Sequence, residues 1–121
     1  FAHEFDPQDA HLDDGAAGTT VFGGLIASGW HTTALLMRMM VDEFLGTSAA
    51  ITSPGAERIR WLKAVKPGDR LWVRSEVLET APSKSKPDRG RVKMDHRVSN
   101  QRGEMVMTVV GLGYFRRRKA A

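Results

Sequence analysis

Residues 28–46 read SGWHTTALLMRMMVDEFLG, and they decide the fold. Ser28 is a side-chain N-cap and Gly46 a C′ stop, so the pattern predicts a helix over residues 30–45. Apolar side chains cover most of its circumference. His31, Arg38 and Asp42 form the one polar strip, at spacings of seven and four. A helix apolar on nearly all sides is normally enclosed by other structure, so this one is expected to be a core helix.

What encloses it follows in the chain. Residues 46–55 form a small-residue connection ending in Ser53-Pro54-Gly55, after which the hydrophobic period changes from 3.6 to 2. Ile59, Trp61, Lys63 and Val65 alternate with Arg58, Arg60 and Leu62, and Lys66-Pro67-Gly68-Asp69 is a turn. Leu71, Val73, Ser75 and Val77 make one side of a second strand, and residues 81–90 are a polar hairpin connection. Val92, Met94, His96 and Val98 alternate with Arg91, Lys93, Asp95 and Arg97. After Asn100-Gln101-Arg102-Gly103 comes a long apolar strand over residues 104–116, where Gly111 and Gly113 suggest a bend or a close approach by the helix. One helix and four hairpin-linked strands imply an α+β domain, a curved antiparallel sheet wrapped around one long central helix.

Upstream of the helix lies FDPQDAHLDDGAAGTTVFGGLIA, residues 5–27. Residues 1–5 suit the last turn of a helix that Pro7 stops. Asp6 and His11 are five apart and would not share a helical face, so only a turn or loop brings them together. Asp13 can cap a single turn through Ala17. The segment Val21–Ile26, broken by glycines, reads as a buried loop. An acid and an imidazole ahead of a helix N-terminus combine proton-transfer groups with an anion-stabilising pole.

The chain has 121 residues, enough for one domain with a real core, and residues 1–121 are read as a single unit. It starts at Phe1 inside a helix-like turn, so further residues, a strand among them, are expected upstream. A hydrophobic share of 41% against 26% charged excludes disorder. With no cysteine there is neither a disulfide framework nor a thiolate nucleophile. No apolar run approaches the ~20 residues of a membrane span and no signal peptide is visible; no membrane partner and a cytoplasmic location are expected. The net charge of +4 suits an anionic partner. Its densest part, Arg116-Arg117-Arg118-Lys119, reads as solvated chain. Aromatic and basic residues do not interleave as nucleic-acid stacking requires, so no nucleic-acid partner is expected. His11-x-Asp13 is too little for a metal site.

Several pieces together carry a resemblance. Asp6-Pro7-Gln8-Asp9-Ala10-His11 resembles the D-x-N-P-x-H hydratase motif of MaoC-like proteins. Gly24–Trp30 is similar to that family's I-A-H-G-M segment at the start of the central helix, and Trp61–Asp69 to its strand and PGD turn. The ordered set spans almost the whole chain and implies the hotdog fold of the MaoC-like dehydratase and (R)-specific enoyl-CoA hydratase family. It implies a hydro-lyase acting on an enoyl-CoA or 3-hydroxyacyl-CoA, with the thioester as substrate and no cofactor. Asp6 and His11 would be the catalytic pair, with Gly29 and Ser28 at the oxyanion and substrate site. This chain departs from the motif at Gln8-Asp9 and at Ser28, which replaces the family's histidine, and residues 36–39 lack the serine common in its hydratases.

Two other functions share the fold: an acyl-CoA thioesterase using Asp6, Asp13 or Asp14, and a non-catalytic subunit that binds an acyl-thioester. The remaining conspicuous side chains have plainer readings. His31 is exposed or pocket-lining, His96 a satisfied core or interface histidine, His3 a surface residue, and Trp30, Trp61 and Trp72 core or interface anchors. Arg58, Arg60 and Lys63 suit either CoA phosphates or an outward strand face. A single sheet with free edges predicts a homodimer or higher homo-oligomer.

Overall fold

The computed structural model describes residues 1–118. Three single-turn helices, α1 (Ala2–Phe5), α2 (Asp9–Leu12) and α3 (Asp14–Ala17), lead by a loop into the long helix α4 (Gly29–Glu43). A 3₁₀ turn, Leu45–Thr47, then feeds four antiparallel strands: β1 (Ala50–Trp61), β2 (Trp72–Pro82), β3 (Arg89–Ser99) and β4 (Met105–Arg116). Their order across the sheet is β1-β4-β3-β2. The curved sheet lies against α4, the hotdog arrangement of the α+β class.

The strands obey the expected two-residue period. On β3, Val98 and His96 are buried beneath α4, whereas Arg91, Lys93, Asp95 and Arg97 make ion pairs on the other face. Leu36 of α4 anchors the core against Val98, Val106, Met107 and Val109, with Met40 packed beside it. Gly68 takes φ of 85° in the Pro67-Gly68 turn, a conformation few other residues adopt readily.

Four expectations need correction. β1 begins at Ala50 and runs through Ser53-Pro54-Gly55, then ends at Trp61 rather than Val65. A proline is tolerated there because β1 is an edge strand, and the register shifts around residues 50–58 absorb the irregularity. The helix is enclosed on one side only: Trp30, Leu35, Met37 and Val41 are exposed. Four strands cover one face of a helix, and its hydrophobicity does not say which faces this chain covers. Of residues 21–26, read as a buried loop, only Ile26 is buried while Val21 stands in solvent; Trp30, Trp61 and Trp72 are half-exposed in the single chain, which fits interface anchors and not core ones. Finally, Gly111 meets nothing within 4 Å of where a Cβ would stand, so it opens space instead of admitting the helix closely. Arg116, Arg117 and Arg118 are exposed, and Lys119 of the basic run lies outside the described residues.

Candidate active site

Asp6 is the C-cap of α1, ahead of Pro7, and His11 sits in α2. The break between the two short helices folds the segment back on itself, with Gln8 N–H donating to Asp6 O at 2.8 Å. Ile26 N–H donates to Ala10 O at 2.9 Å, which seats α2 on the strand-like approach to α4. Ala27 N–H reaches Val65 O at 2.8 Å and ties that approach to the end of β1's outgoing chain.

These bonds bring the predicted residues together. His11 Nε2 stands 3.6 Å from Asp6 Oδ2, both side chains being largely shielded. His11 Nδ1 lies 2.9 Å from the backbone oxygen of Ile26. A carbonyl only accepts, so Nδ1 carries the proton and, in the neutral ring, Nε2 presents a lone pair toward Asp6. Two acceptors therefore face one another across a gap too wide for a direct hydrogen bond.

Asp6 is itself tightly bound. Ser28 Oγ donates to its Oδ2 and Gln8 Nε2 to its Oδ1, each at 2.6 Å. The Ser28 hydroxyl first, then the Gln8 amide, hold the Asp6 carboxyl below its ordinary value of 3.8 against a partial opposing effect of burial, with the charge of the protonated His11 ring a smaller addition. The acid is ionised throughout the neutral range. Ser28, fully buried, also accepts from Trp30 N–H at 3.2 Å as the N-cap of α4. Its only proton is committed to Asp6, so its hydroxyl has none to offer a ligand.

Gly29 opens α4, and its N–H has no partner among the described residues, as expected for a first-turn amide. His11 and Gly29 line the same cavity of about 240 Å³, together with Thr32, Trp61 and Lys63; Asp6 is not among its lining residues and stands behind His11, 3.6 Å from its Nε2. Glycine is required at 29 by close packing, since a Cβ there would collide with Cδ2 and Cε2 of the Trp61 indole.

Other candidates are placed elsewhere. Asp13 caps α3 through Ala16 N–H at 2.8 Å, and Asp14 accepts from Leu25 N–H at 3.0 Å, so both are spent on the loop. His31 stacks on Phe1 with centroids 5.0 Å apart, and His96 is buried and bonded to Ser75 Oγ at 2.7 Å. Arg58 and Arg60 alternate with Ile59 and Trp61, away from the helix. Lys63 reaches the cavity but is ion-paired with Glu104. Among the described residues, no three His or carboxylate side chains cluster as metal ligands would.

Gln8 and Trp61 are the parts that sequence reasoning missed. Gln8 marks a departure from a motif, and its contact with Asp6 two residues away was available from the turn chemistry. The inward phase of Trp61 beside Ile59 was visible, but not its seat on Gly29.

Residues 1–100 match the family described as "MaoC like domain". The structure of a MaoC-like dehydratase from Rhodospirillum rubrum is 44% identical, superposes with a TM-score of 0.89 and is matched over 99% of this chain and 82% of its own. The unliganded R-hydratase PhaJ1 of Pseudomonas aeruginosa is 30% identical with a TM-score of 0.73, over 98% of this chain and 71% of its own. The uncharacterized protein YdeM of Bacillus subtilis (strain 168) is 34% identical over 85 residues, covering 70% of this chain and 60% of YdeM. The match thus spans less than two thirds of that relative.

Proposed function

The chain belongs to the MaoC-like domain family, and from that premise we propose that it is an acyl-thioester hydratase or dehydratase acting through Asp6, His11 and Gly29. The observation that carries the reading is the approach of His11 Nε2 to the Asp6 carboxylate, 3.6 Å apart, with His11 lining one cavity together with Gly29, the first residue of α4. Two acceptors at that separation suit one water that donates a proton to each.

In the hydration direction, His11 takes a proton as the water oxygen bonds to the β-carbon of an enoyl thioester. The alkene electron pair moves through the α-carbon onto the thioester oxygen, where the Gly29 N–H at the helix N-terminus stabilises the charge. A single donor so placed is worth roughly 10²–10³ in rate. The protonated His11 then returns its proton to the α-carbon, so that water has been added across the double bond; the reverse sequence eliminates it. Asp6 stays ionised throughout, orienting the water and stabilising the imidazolium. Ser28 and Gln8 position Asp6 by each donating to one of its two oxygens.

A thioesterase would need a carboxylate to drive hydrolysis. With Asp13 and Asp14 committed to the loop, only Asp6 remains, and the imidazole beside it suits hydration better. Coenzyme A as carrier is consistent with the net charge, with Lys63 the basic group nearest the cavity.

The exposed apolar flank of α4 and the open sheet edges support a homodimer, with a second copy covering them. No helix among the described residues is long and apolar enough to cross a membrane.

The test is loss of conjugated-thioester absorbance on mixing the protein with crotonyl-CoA. Hydration without thiol release is expected; thiol release with the double bond intact would replace this reading with the thioesterase.

A further inference from the structure

A second cavity, of about 400 Å³, lies between α4 and the β1–β4–β3 part of the sheet. Leu36, Met37 and Met40 line it from the helix, Ile59 and Val109 from the sheet. β4 contributes Gly111, which leaves room where a side chain would project. The mechanism uses none of it.

The two cavities are neighbours along one turn of α4. Gly29 and Thr32 line the dyad cavity, and Thr33 lines the apolar one. Along β1 the same step runs from Trp61 to Ile59, two residues apart on one face. Trp61 lines the dyad cavity, and its contacts reach Thr33, which lines the apolar one. Its indole ring packs on Gly29, its Nε1 donates to Thr33 Oγ1 at 3.1 Å, and Trp30 meets it edge-on with centroids 5.0 Å apart. Thr33 Oγ1 in turn donates to Gly29 O at 2.8 Å. The Gly29 packing, the Thr33 hydrogen bond and the Trp30 edge contact hold a ring that is 44% exposed, so it swings toward solvent only at the cost of those three contacts, without unpacking the core.

We infer that Trp61 is a specificity-determining gate that closes the apolar cavity to the acyl chain, so that short-chain thioesters fit the dyad cavity and longer chains bind only when the indole swings aside. This rests on the acyl-thioester reading above. The hydrophobic gain of threading methylenes into the second cavity is offset in the native protein by lost indole contacts with Gly29 and Thr33.

The test is calorimetric titration with two saturated, unreactive thioesters, butyryl-CoA and decanoyl-CoA, against the native protein, Trp61→Ala and Thr33→Val. The native protein should bind the two within about threefold of each other. Trp61→Ala should bind decanoyl-CoA at least tenfold more tightly than native, with a smaller change for butyryl-CoA. Thr33→Val, which keeps the ring and removes its hydrogen-bond acceptor, should move the same ratio in the same direction by a smaller factor, and it carries the test should Trp61→Ala fail to fold. Adding Gly111→Leu, which projects into the apolar cavity, should abolish the Trp61→Ala gain.

An unchanged decanoyl-to-butyryl ratio in the gate variants, or a native protein that already prefers decanoyl-CoA tenfold, would overturn the gate. Neither result touches the hydration chemistry. Conversely, thioester binding without turnover of crotonyl-CoA would overturn the hydratase reading and leave the gate standing.

Discussion

The two cavities beside α4 are built on opposite principles. In the dyad cavity, polar groups are specified by partners: Asp6 by Ser28 and Gln8, His11 by Ile26 O, and the α4 N-terminus by Ser28. The apolar cavity is made by omission, through Gly111 and the gap between Ile59 and Met40. On the proposed reading the first orients reacting atoms and tolerates little displacement, whereas the second selects by volume and tolerates repacking. Substitutions on the two sides should therefore fail differently, in rate on one and in stability on the other.

The largest effect belongs to the dyad. Asp6→Asn and His11→Ala should each lower kcat for crotonyl-CoA hydration by about 10²–10⁴, read by stopped assays at saturating substrate. On the other side, Leu36→Ala enlarges the space between helix and sheet and should cost about 2–5 kcal/mol of stability by urea denaturation. Leu35→Ala, on the exposed flank of the same helix, should change monomer stability by less than about 0.5 kcal/mol. Sedimentation should show a weakened dimer in Leu35→Ala, because the proposed second copy covers this flank; a dimer of native strength would show that the flank is not the interface.

Ser28→Ala joins both kinds of effect. It removes the cap of α4, worth about 1 kcal/mol, and releases the Asp6 carboxyl toward its ordinary value. Because the folded-state pKa of Asp6 lies below 3.8, its contribution to stability is present above 3.8 and disappears as pH falls through the folded value. The acid limb of the urea midpoint should thus be shallower in Ser28→Ala. An identical limb would mean that the short Ser28–Asp6 bond does not hold the acid ionised.

The smallest effect concerns His96, which lines the apolar cavity. Burial keeps its pKa below 6.5, against the opposing charge of Asp95. The unfolded chain then binds the extra proton first, and stability should decline as pH falls below 6.5. His96→Gln should remove that slope, measured as urea midpoints between pH 7 and 5. A slope unchanged by the substitution would assign it to another group.

How much of this was legible depends on the distance over which each signal acts. The Ser28 cap, the alternation of Val92 through Val98 and the Asp13 cap are local, and each appears where the pattern puts it. The start of β1 was hidden because Ser53-Pro54-Gly55 reads as a turn until the strand is known to lie at an edge. The half-exposed helix was hidden because apolar side chains at Leu35 and Val41 report a preference for burial, not what provides it. The pairing of Asp6 with His11 rested on a resemblance, since a five-residue spacing alone leaves them on different faces. The Ser28–Asp6 bond spans twenty-two residues and exists only once Ala10 and Ile26 have met. Trp61 was legible as an inward residue but not as a partition, which required both cavities.

The central claim is that Asp6 and His11 act as a unit on one water. A double-mutant cycle on kcat tests it most directly, comparing Asp6→Asn, His11→Ala and the pair on crotonyl-CoA. Groups that work as a unit are strongly non-additive, so the double variant should lose no more than about tenfold beyond the worse single one. Losses that multiply would contradict the account, as would single variants that hydrate at the native rate.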